Sequence, residues 1–173
     1  MRIRKATTAD IDAVEAIYNK ILDEEEAGRA CVGWQRGVYP TRRTAEESLA
    51  LGELYVLDDH GVKAAARINS RQVAEYALAA WAQDAPEDKV LVLHTLVVDP
   101  AAKGRGCGTE FVDFYEEMGK ATGRPFLRMD TNEKNRAARA LYHKLGYREA
   151  GIVPCEFNGI CGVGLVCLEK TLD

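Results

Sequence analysis

The stretch VLVLHTLVVDPAAKGRGCGTEFVDFYEEMG, residues 90–119, decides the fold. Val90–Val98 is apolar almost throughout, which predicts a central strand covered on both faces. From Gly106 the apolar residues Phe111, Phe114, Tyr115 and Met118 fall three or four apart, predicting a helix over 106–119. Between the two lies Lys103-Gly104-Arg105-Gly106-Cys107-Gly108. Glycines let a backbone approach a bulky oxyanion and aim successive N–H groups at it. The helix N-terminus adds partial positive charge, and Lys103 and Arg105 add full charges. Such a turn suits a pyrophosphate.

Two other phosphate motifs fit poorly. A P-loop needs Gly-x-x-x-x-Gly-Lys-Ser/Thr, which the run lacks. A dinucleotide fingerprint needs Gly-x-Gly-x-x-Gly, but Thr109 stands at the third glycine position and no early βαβ unit surrounds it. A plain structural turn remains the competing reading.

Outward from this stretch, the chain alternates in mixed order. Residues 2–5 predict a short strand. Thr7-x-x-Asp10 resembles a helix-start box, followed at helical spacing by Ile11, Val14, Tyr18, Ile21 and Leu22. A loop over 31–40 holds Trp34 and Tyr39, and a second helix is expected over 44–51. Residues 54–57 and 62–68 read as a hairpin around Asp59-His60-Gly61. A short helix is expected near 73–81. Residues 126–130 form a further strand, 135–145 a helix closed by Gly146, and the tail two strands.

Composition bounds the function. The 173 residues suit a single domain, 1–173, with a sizeable core; 47% hydrophobic and 29% charged are ordinary for a globular protein. A formal charge of −4 gives no ground for wholesale nucleic-acid or membrane binding. No run approaches the roughly 18 apolar residues of a membrane span, and MRIRKATTAD has no apolar signal core, so a cytoplasmic protein is expected. Three histidines without ligand spacing predict no metal site. The five cysteines include no Cys-x-x-Cys pair; Cys155, Cys161 and Cys167 read as small buried residues of a strand pair.

A second motif gives the phosphate turn its context. In NEKNRAARALYHKLGY, Asn135, Ala138 and Tyr142 share one helix face, kept slim by Ala138 for a linear ligand. The plain alternative is a cap at Asn135 and a core aromatic at Tyr142.

Together the two segments resemble the GNAT superfamily of acyl-CoA-dependent N-acyltransferases. That family's turn, Gln/Arg-x-x-Gly-x-Gly/Ala, stands here as Lys103-x-x-Gly106-x-Gly108. Its later pattern appears as Asn135, Ala138, Leu141-Tyr142 and Gly146-Tyr147. The opening RIRKATTADIDAVEAIY is similar as well, so the likeness runs over residues 2–172.

The resemblance implies a mixed α/β fold: a mostly antiparallel sheet of six or seven strands, flanked by about four helices, with its fourth and fifth strands splayed to admit the pantetheine arm of CoA. Main-chain groups of Leu96, Val97 and Val98 would meet the pantetheine amides, Gly104, Arg105, Gly106, Cys107, Gly108 and Thr109 the pyrophosphate with Lys103 beside them, and Asn135, Ala138 and Tyr142 the CoA arm. Direct acetyl transfer from acetyl-CoA to a primary amine would follow. Val98 N–H is the implied oxyanion donor and Tyr142 the acid for the departing sulfur. The base is less determined. Val92 stands where family members often carry glutamate. His94, expected on the face of Val92 and Leu96, is the candidate, against a reading as a core spacer; Glu53, Asp130 and water chains are further options. Trp34, Tyr39, Tyr76 and Trp81 lie in loops that would border the acceptor, against a reading of most of them as ordinary packing. The resemblance admits a homodimer. Two alternatives are a CoA-binding module without catalysis and an acyltransferase acting on a macromolecular amine, protein or aminoacyl-tRNA; the net charge disfavours the last.

Overall fold

The computed structural model describes residues 1–173. The strands are β1 (Arg2–Lys5), β2 (Leu54–Asp58), β3 (Val62–Asn69), β4 (Val90–Val98), β5 (Phe126–Asn132), β6 (Arg148–Phe157) and β7 (Ile160–Thr171). The helices are α1 (Ile11–Glu26), α2 (Arg42–Ala50), α3 (Cys107–Ala121) and α4 (Arg136–Lys144). All seven strands form one open sheet in the order β1-β2-β3-β4-β5-β7-β6. Neighbours are antiparallel except β4 and β5, which run parallel.

That exception makes the opening. Parallel pairing runs from Val90 opposite Phe126 to Leu93 opposite Met129 and then stops. Beyond it β4 stays with β3, while Asp130, Thr131 and Asn132 of β5 stay with β7. Just before the split, Tyr115 of α3 ties the two strands together. Its hydroxyl donates to the Leu91 carbonyl at 2.6 Å and accepts the Arg128 N–H at 3.2 Å. A buried phenol needs both partners, and here each belongs to a different strand. The divergence therefore begins at a fixed point.

The core follows the two faces of the sheet. On one, α3 buries Phe111, Val112 and Tyr115 against Leu91, Leu93, Leu127 and Met129. A large apolar side chain moved out of water in this way contributes about 1.5–3 kcal/mol. On the other, Ile11, Val14, Ile17 and Tyr18 of α1 cover Leu54, Val56, Ala65 and Val97. Tyr76, Val90, Val92, Ala150 and Val153 form a separate cluster on that same side. A small cluster of Tyr39, Ile160 and Val163 bridges these last two, sharing Trp34 with one and Cys155 and Phe157 with the other.

Helix starts match the sequence signals. The Thr7 N–H and hydroxyl both donate to Asp10 Oδ2, at 2.8 and 3.0 Å, and Arg4 clasps the same carboxylate. The second helix begins at Arg42 rather than residue 44, because Thr41 caps it and its N–H donates to Thr44 Oγ1 at 3.0 Å. Near 73–81 there is only a 3₁₀ turn, Ala74–Leu78. Trp81 Nε1–H closes that turn onto the Tyr76 carbonyl at 2.7 Å, and the Trp81 ring lies 4.2 Å from the Arg128 guanidinium. Of the three late cysteines only Cys167 is buried; Cys155 is half-buried and Cys161 exposed. Cys161 stands beside the hairpin turn, past the end of the core.

Candidate active site

The split between β4 and β5 opens into a groove of about 570 Å³. Thr95, Leu96, Val97 and Val98 line one wall, Asp130, Thr131 and Asn132 the other, and α4 the base. Residues 29–34 cross over it. Gly33 passes so near the Asn132 side chain that a Cβ there would sit 2.2 Å from Nδ2, and its φ is +77°, so only glycine fits this crossing.

At one end stands the glycine turn. Gly106, at φ 80°, precedes the first residue of α3. No carbonyl of the chain accepts from the N–H groups of Gly104, Gly106, Cys107, Gly108 or Thr109. Five donors converging at a helix start, with Lys103 on the rim, make an anion cradle. Arg105 is different. Its guanidinium pairs with Asp59 of the β2–β3 turn at 2.7 Å, its N–H donates to the Ala102 carbonyl, and it is absent from the groove lining. In this arrangement the Arg105 side chain anchors the turn to the hairpin. Sequence reading also missed Arg29, which lines the groove with its partner Glu24, 2.8 Å away.

The wall of β4 carries a bulge. Ala65 opposes Val97 and Arg67 opposes His94, so two residue steps on β3 face three on β4. Thr95 takes up the extra residue at φ 52°. Side-chain alternation shifts by one there. Leu91 and Leu93 face α3, and so do Leu96 and Val98, while Val90, Val92 and Val97 face away. His94 thus shares a face with Val92 but not with Leu96, which corrects the expected arrangement. The bulge also aims the main chain. The Asp99 N–H donates to the Lys63 carbonyl of the β3 side at 2.8 Å, so by alternation Val97 turns its groups to β3, and Leu96 and Val98 turn theirs to the groove. Of the three main-chain contacts expected, Leu96 and Val98 keep free groups there.

At the far end α4 presents Asn135, Ala138 and Tyr142. Asn135 does double duty: Oδ1 caps the helix by accepting the Ala138 N–H at 3.2 Å, and its side chain borders the groove. Tyr142 is buried but lines the groove, and its hydroxyl has no hydrogen-bond partner in the chain. Burial, with the nearby charge of Asp130, holds that phenol well above the ordinary tyrosine range, so it keeps its proton.

Asp130 is the residue the sequence did not rank. It stands where β5 leaves β4, and burial pushes its carboxyl up to about 6, with the Tyr76 hydrogen bond opposing and the Glu75 charge assisting. The Tyr76 hydroxyl donates to Oδ2 at 2.7 Å. The Cys155 and Cys167 thiols face the same carboxylate and are pushed up in turn, first by burial. His94 lies elsewhere. It lines a second cavity, its Nε2 is 3.0 Å from Asn69 Oδ1, and burial plus the Arg67 charge bring it down to about 4. Asn69 Oδ1 also accepts the Arg71 N–H at 2.8 Å, which marks it as the oxygen, so the facing His94 Nε2 carries hydrogen. Glu53 is bonded by Arg67, Arg71 and Asn69 and lines neither cavity.

A sheet split at one parallel pair, a row of free N–H groups at a helix start and a buried phenol thus line one groove of a mixed α/β fold. The sequence profile described as the Acetyltransferase (GNAT) family matches residues 14–147, and the chain belongs to that family. An uncharacterised N-acetyltransferase of Methanocaldococcus jannaschii is 30% identical over 73 residues, a match spanning 42% of this chain and 32% of that relative. Among solved structures, an acetyltransferase of the GNAT family from Streptococcus agalactiae superposes with a TM-score of 0.84 at 23% identity, covering 99% of this chain and 95% of that one. A GCN5-related N-acetyltransferase from Kribbella flavida gives 0.68 at 22% identity, over 99% and 97% of the two chains. A protein from Salmonella typhimurium, solved with its cofactor acetyl-CoA, gives 0.67 at 20%, over 100% and 94%. At these identities the structural likeness is one of fold. No helix is long and apolar enough to cross a membrane, and no group of three or more His, Cys, Asp or Glu is placed to hold a metal ion.

Proposed function

We propose that this protein transfers an acetyl group from acetyl-CoA directly to a primary amine. The observation that carries the reading is one groove with unpaired main-chain donors at residues 104 and 106–109 and the unpartnered hydroxyl of Tyr142 at its other end. The residues suit the cofactor. The N–H groups of Gly104, Gly106, Cys107, Gly108 and Thr109 with Lys103 would hold its pyrophosphate, Leu96 and Val98 its amides, and Ala138 and Asn135 would flank the arm.

Acetyl-CoA supplies an acyl group already activated as a thioester, so no nucleophilic side chain is required. The chain has three tasks. Val98 N–H, turned into the groove, donates to negative charge developing on the acyl oxygen. Tyr142 donates its proton toward the departing sulfur. A thiol pKa near about 8.5 makes thiolate only a moderate leaving group, and a placed acid helps by roughly 10²-fold. Asp130 receives the proton of the amine. A lysine-like amine is more than about 99% protonated at pH 7, so this removal matters. A carboxylate near 6 is ionised at pH 7 yet basic enough to accept a proton in passing. His94, near 4 and turned from the groove, is the weaker candidate for that task.

The test is a library of amines with acetyl-, propionyl- and succinyl-CoA, read by thiol release, beside calorimetry of acetyl-CoA alone. Micromolar binding with amine-dependent release is expected. Absence of acetyl-CoA binding would end the reading.

A further inference from the structure

The α1 side of the sheet holds a second cavity of about 500 Å³. Tyr39, Thr95, Asp130 and Phe157 line both it and the groove, so the two meet at these four side chains. Tyr39 forms the partition. Its hydroxyl is hydrogen-bonded to Thr95 Oγ1, and its ring is held edge-on by Trp34 and Phe157 at 5.9 and 5.3 Å. A molecule in this cavity approaches Asp130 from the side opposite the thioester groove.

The cavity is polarised. Asp130 is at the partition. Arg43, Arg67 and Arg71 are the cations of the lining. Arg43 is neutralised by Glu47 one helical turn on, at 2.6 Å. Arg67 and Arg71 share one carboxylate, Glu53, which leaves an excess positive charge. Arg67 spends only Nε on Glu53, at 2.7 Å; its two terminal nitrogens make no hydrogen bond in the chain. Arg67 stands opposite His94 in the β3–β4 pairing and lines the cavity together with Tyr39, Thr95 and Asp130. His94, with Nε2–H on Asn69, adds no charge of its own at neutral pH.

A half-buried guanidinium with unused parallel donors is suited to a planar oxyanion, which it can bind through two bonds. A polyamine would bring a second cation against Arg67. A lysine within a protein would bring neutral amides and leave Arg67 unmatched. We propose that the second cavity binds the acceptor as a zwitterion: a small primary amine bearing a carboxylate, the carboxylate on Arg67 and the ammonium turned toward Asp130. The proposal rests on the transferase reading above and names its acceptor class. The cavity volume matches molecules of that size.

The test compares α-amino acids with their carboxamides, their decarboxylated amines, phosphoethanolamine and spermidine, by kcat/KM for thiol release. Calorimetry of the same compounds is run with and without acetyl-CoA. Amino acids should exceed carboxamides and decarboxylated amines by roughly 30- to 100-fold. In Arg67→Leu that preference should vanish through KM, with acetyl-CoA affinity and the rate on the decarboxylated amines held; Arg67→Lys should restore part of it. If Arg67→Leu does not fold, Arg71→Leu and the wild-type ratios decide. Carboxamides or spermidine equal to or better than amino acids would overturn the proposal and leave the transferase standing, and a preference for phosphoethanolamine would replace carboxylate by phosphate. Amino-acid binding without turnover would support this proposal and count against the transferase reading. No amino-acid binding in either arm would overturn it.

Discussion

The groove and the second cavity meet at Asp130, yet they are built from different material. The glycine-turn end of the groove is main chain: the unpaired N–H groups of residue 104 and residues 106–109, which any sequence able to adopt the turn would supply. The second cavity is side chain: Arg67 from β3, His94 from β4, Arg43 from α2 and Asp130 from β5. A main-chain site needs particular torsions, and torsions leave glycines at fixed spacing. A side-chain site needs only that distant residues be carried to one place, and this leaves no local pattern.

The largest expected effect strikes the main-chain end. A Cβ at Gly108 would lie 3.0 Å from Leu141 Cδ2, so Gly108→Glu adds bulk and negative charge where the diphosphate would sit. Calorimetry should show acetyl-CoA affinity reduced by about 10³-fold or more. Undiminished binding would place the phosphates elsewhere and dissolve the contrast between the two sites.

Next comes the junction. Asp130 must be ionised to take a proton, so kcat/KM should rise with pH through about 6 and then level. Asp130→Asn should remove that limb and lower the rate at pH 7 by about 10²-fold. His94→Gln should leave a limb near 6 in place; its disappearance there would hand the task to His94 and move the chemistry into the second cavity. Tyr142→Phe should slow turnover by up to about 10²-fold with acetyl-CoA affinity unchanged, measured by single-turnover thiol release and calorimetry. Equal turnover would take Tyr142 out of the reaction.

The smallest effect lies outside both cavities and serves as their reference. The Arg4 guanidinium, ahead of the Thr7 contacts, holds the Asp10 carboxyl at about 2. A carboxyl lowered on folding stabilises the native state above its unfolded pKa of about 4, and that stability is lost as pH falls toward about 2. Asp10→Asn should cost about 2 kcal/mol at pH 7 and flatten the acid limb of a urea-midpoint profile. Catalytic rates at pH 7 should not move, which separates damage to the scaffold from damage to either cavity.

Much of the molecule was legible before folding. Apolar runs marked β4 and β5, three-and-four spacing marked α1 and α3, and Thr7-x-x-Asp10 marked the start of the first helix, because these signals depend on neighbours in sequence. The groove was legible for the same reason: the glycines of the turn and the Asn135, Ala138, Tyr142 face lie within single elements. His94 shows where this stops. Strict alternation puts it on the face of Leu96, but Thr95 absorbs an extra residue opposite β3, and nothing local to β4 announces a bulge that its partner strand defines. Nothing local to the glycine turn announces that the β2–β3 turn brings Asp59 to Arg105.

The sequence by itself determined the local pattern, a glycine turn at a helix start and a helix face carrying Asn135, Ala138 and Tyr142, since both are written in residue type and spacing. Only the tertiary structure decided what surrounds the reacting centre. The basicity of Asp130 comes from burial at the split of β4 and β5, and the polarity of the second cavity from arginines and a carboxylate gathered out of four elements. Both depend on solvent exclusion and through-space charge, which a linear order of residues does not contain.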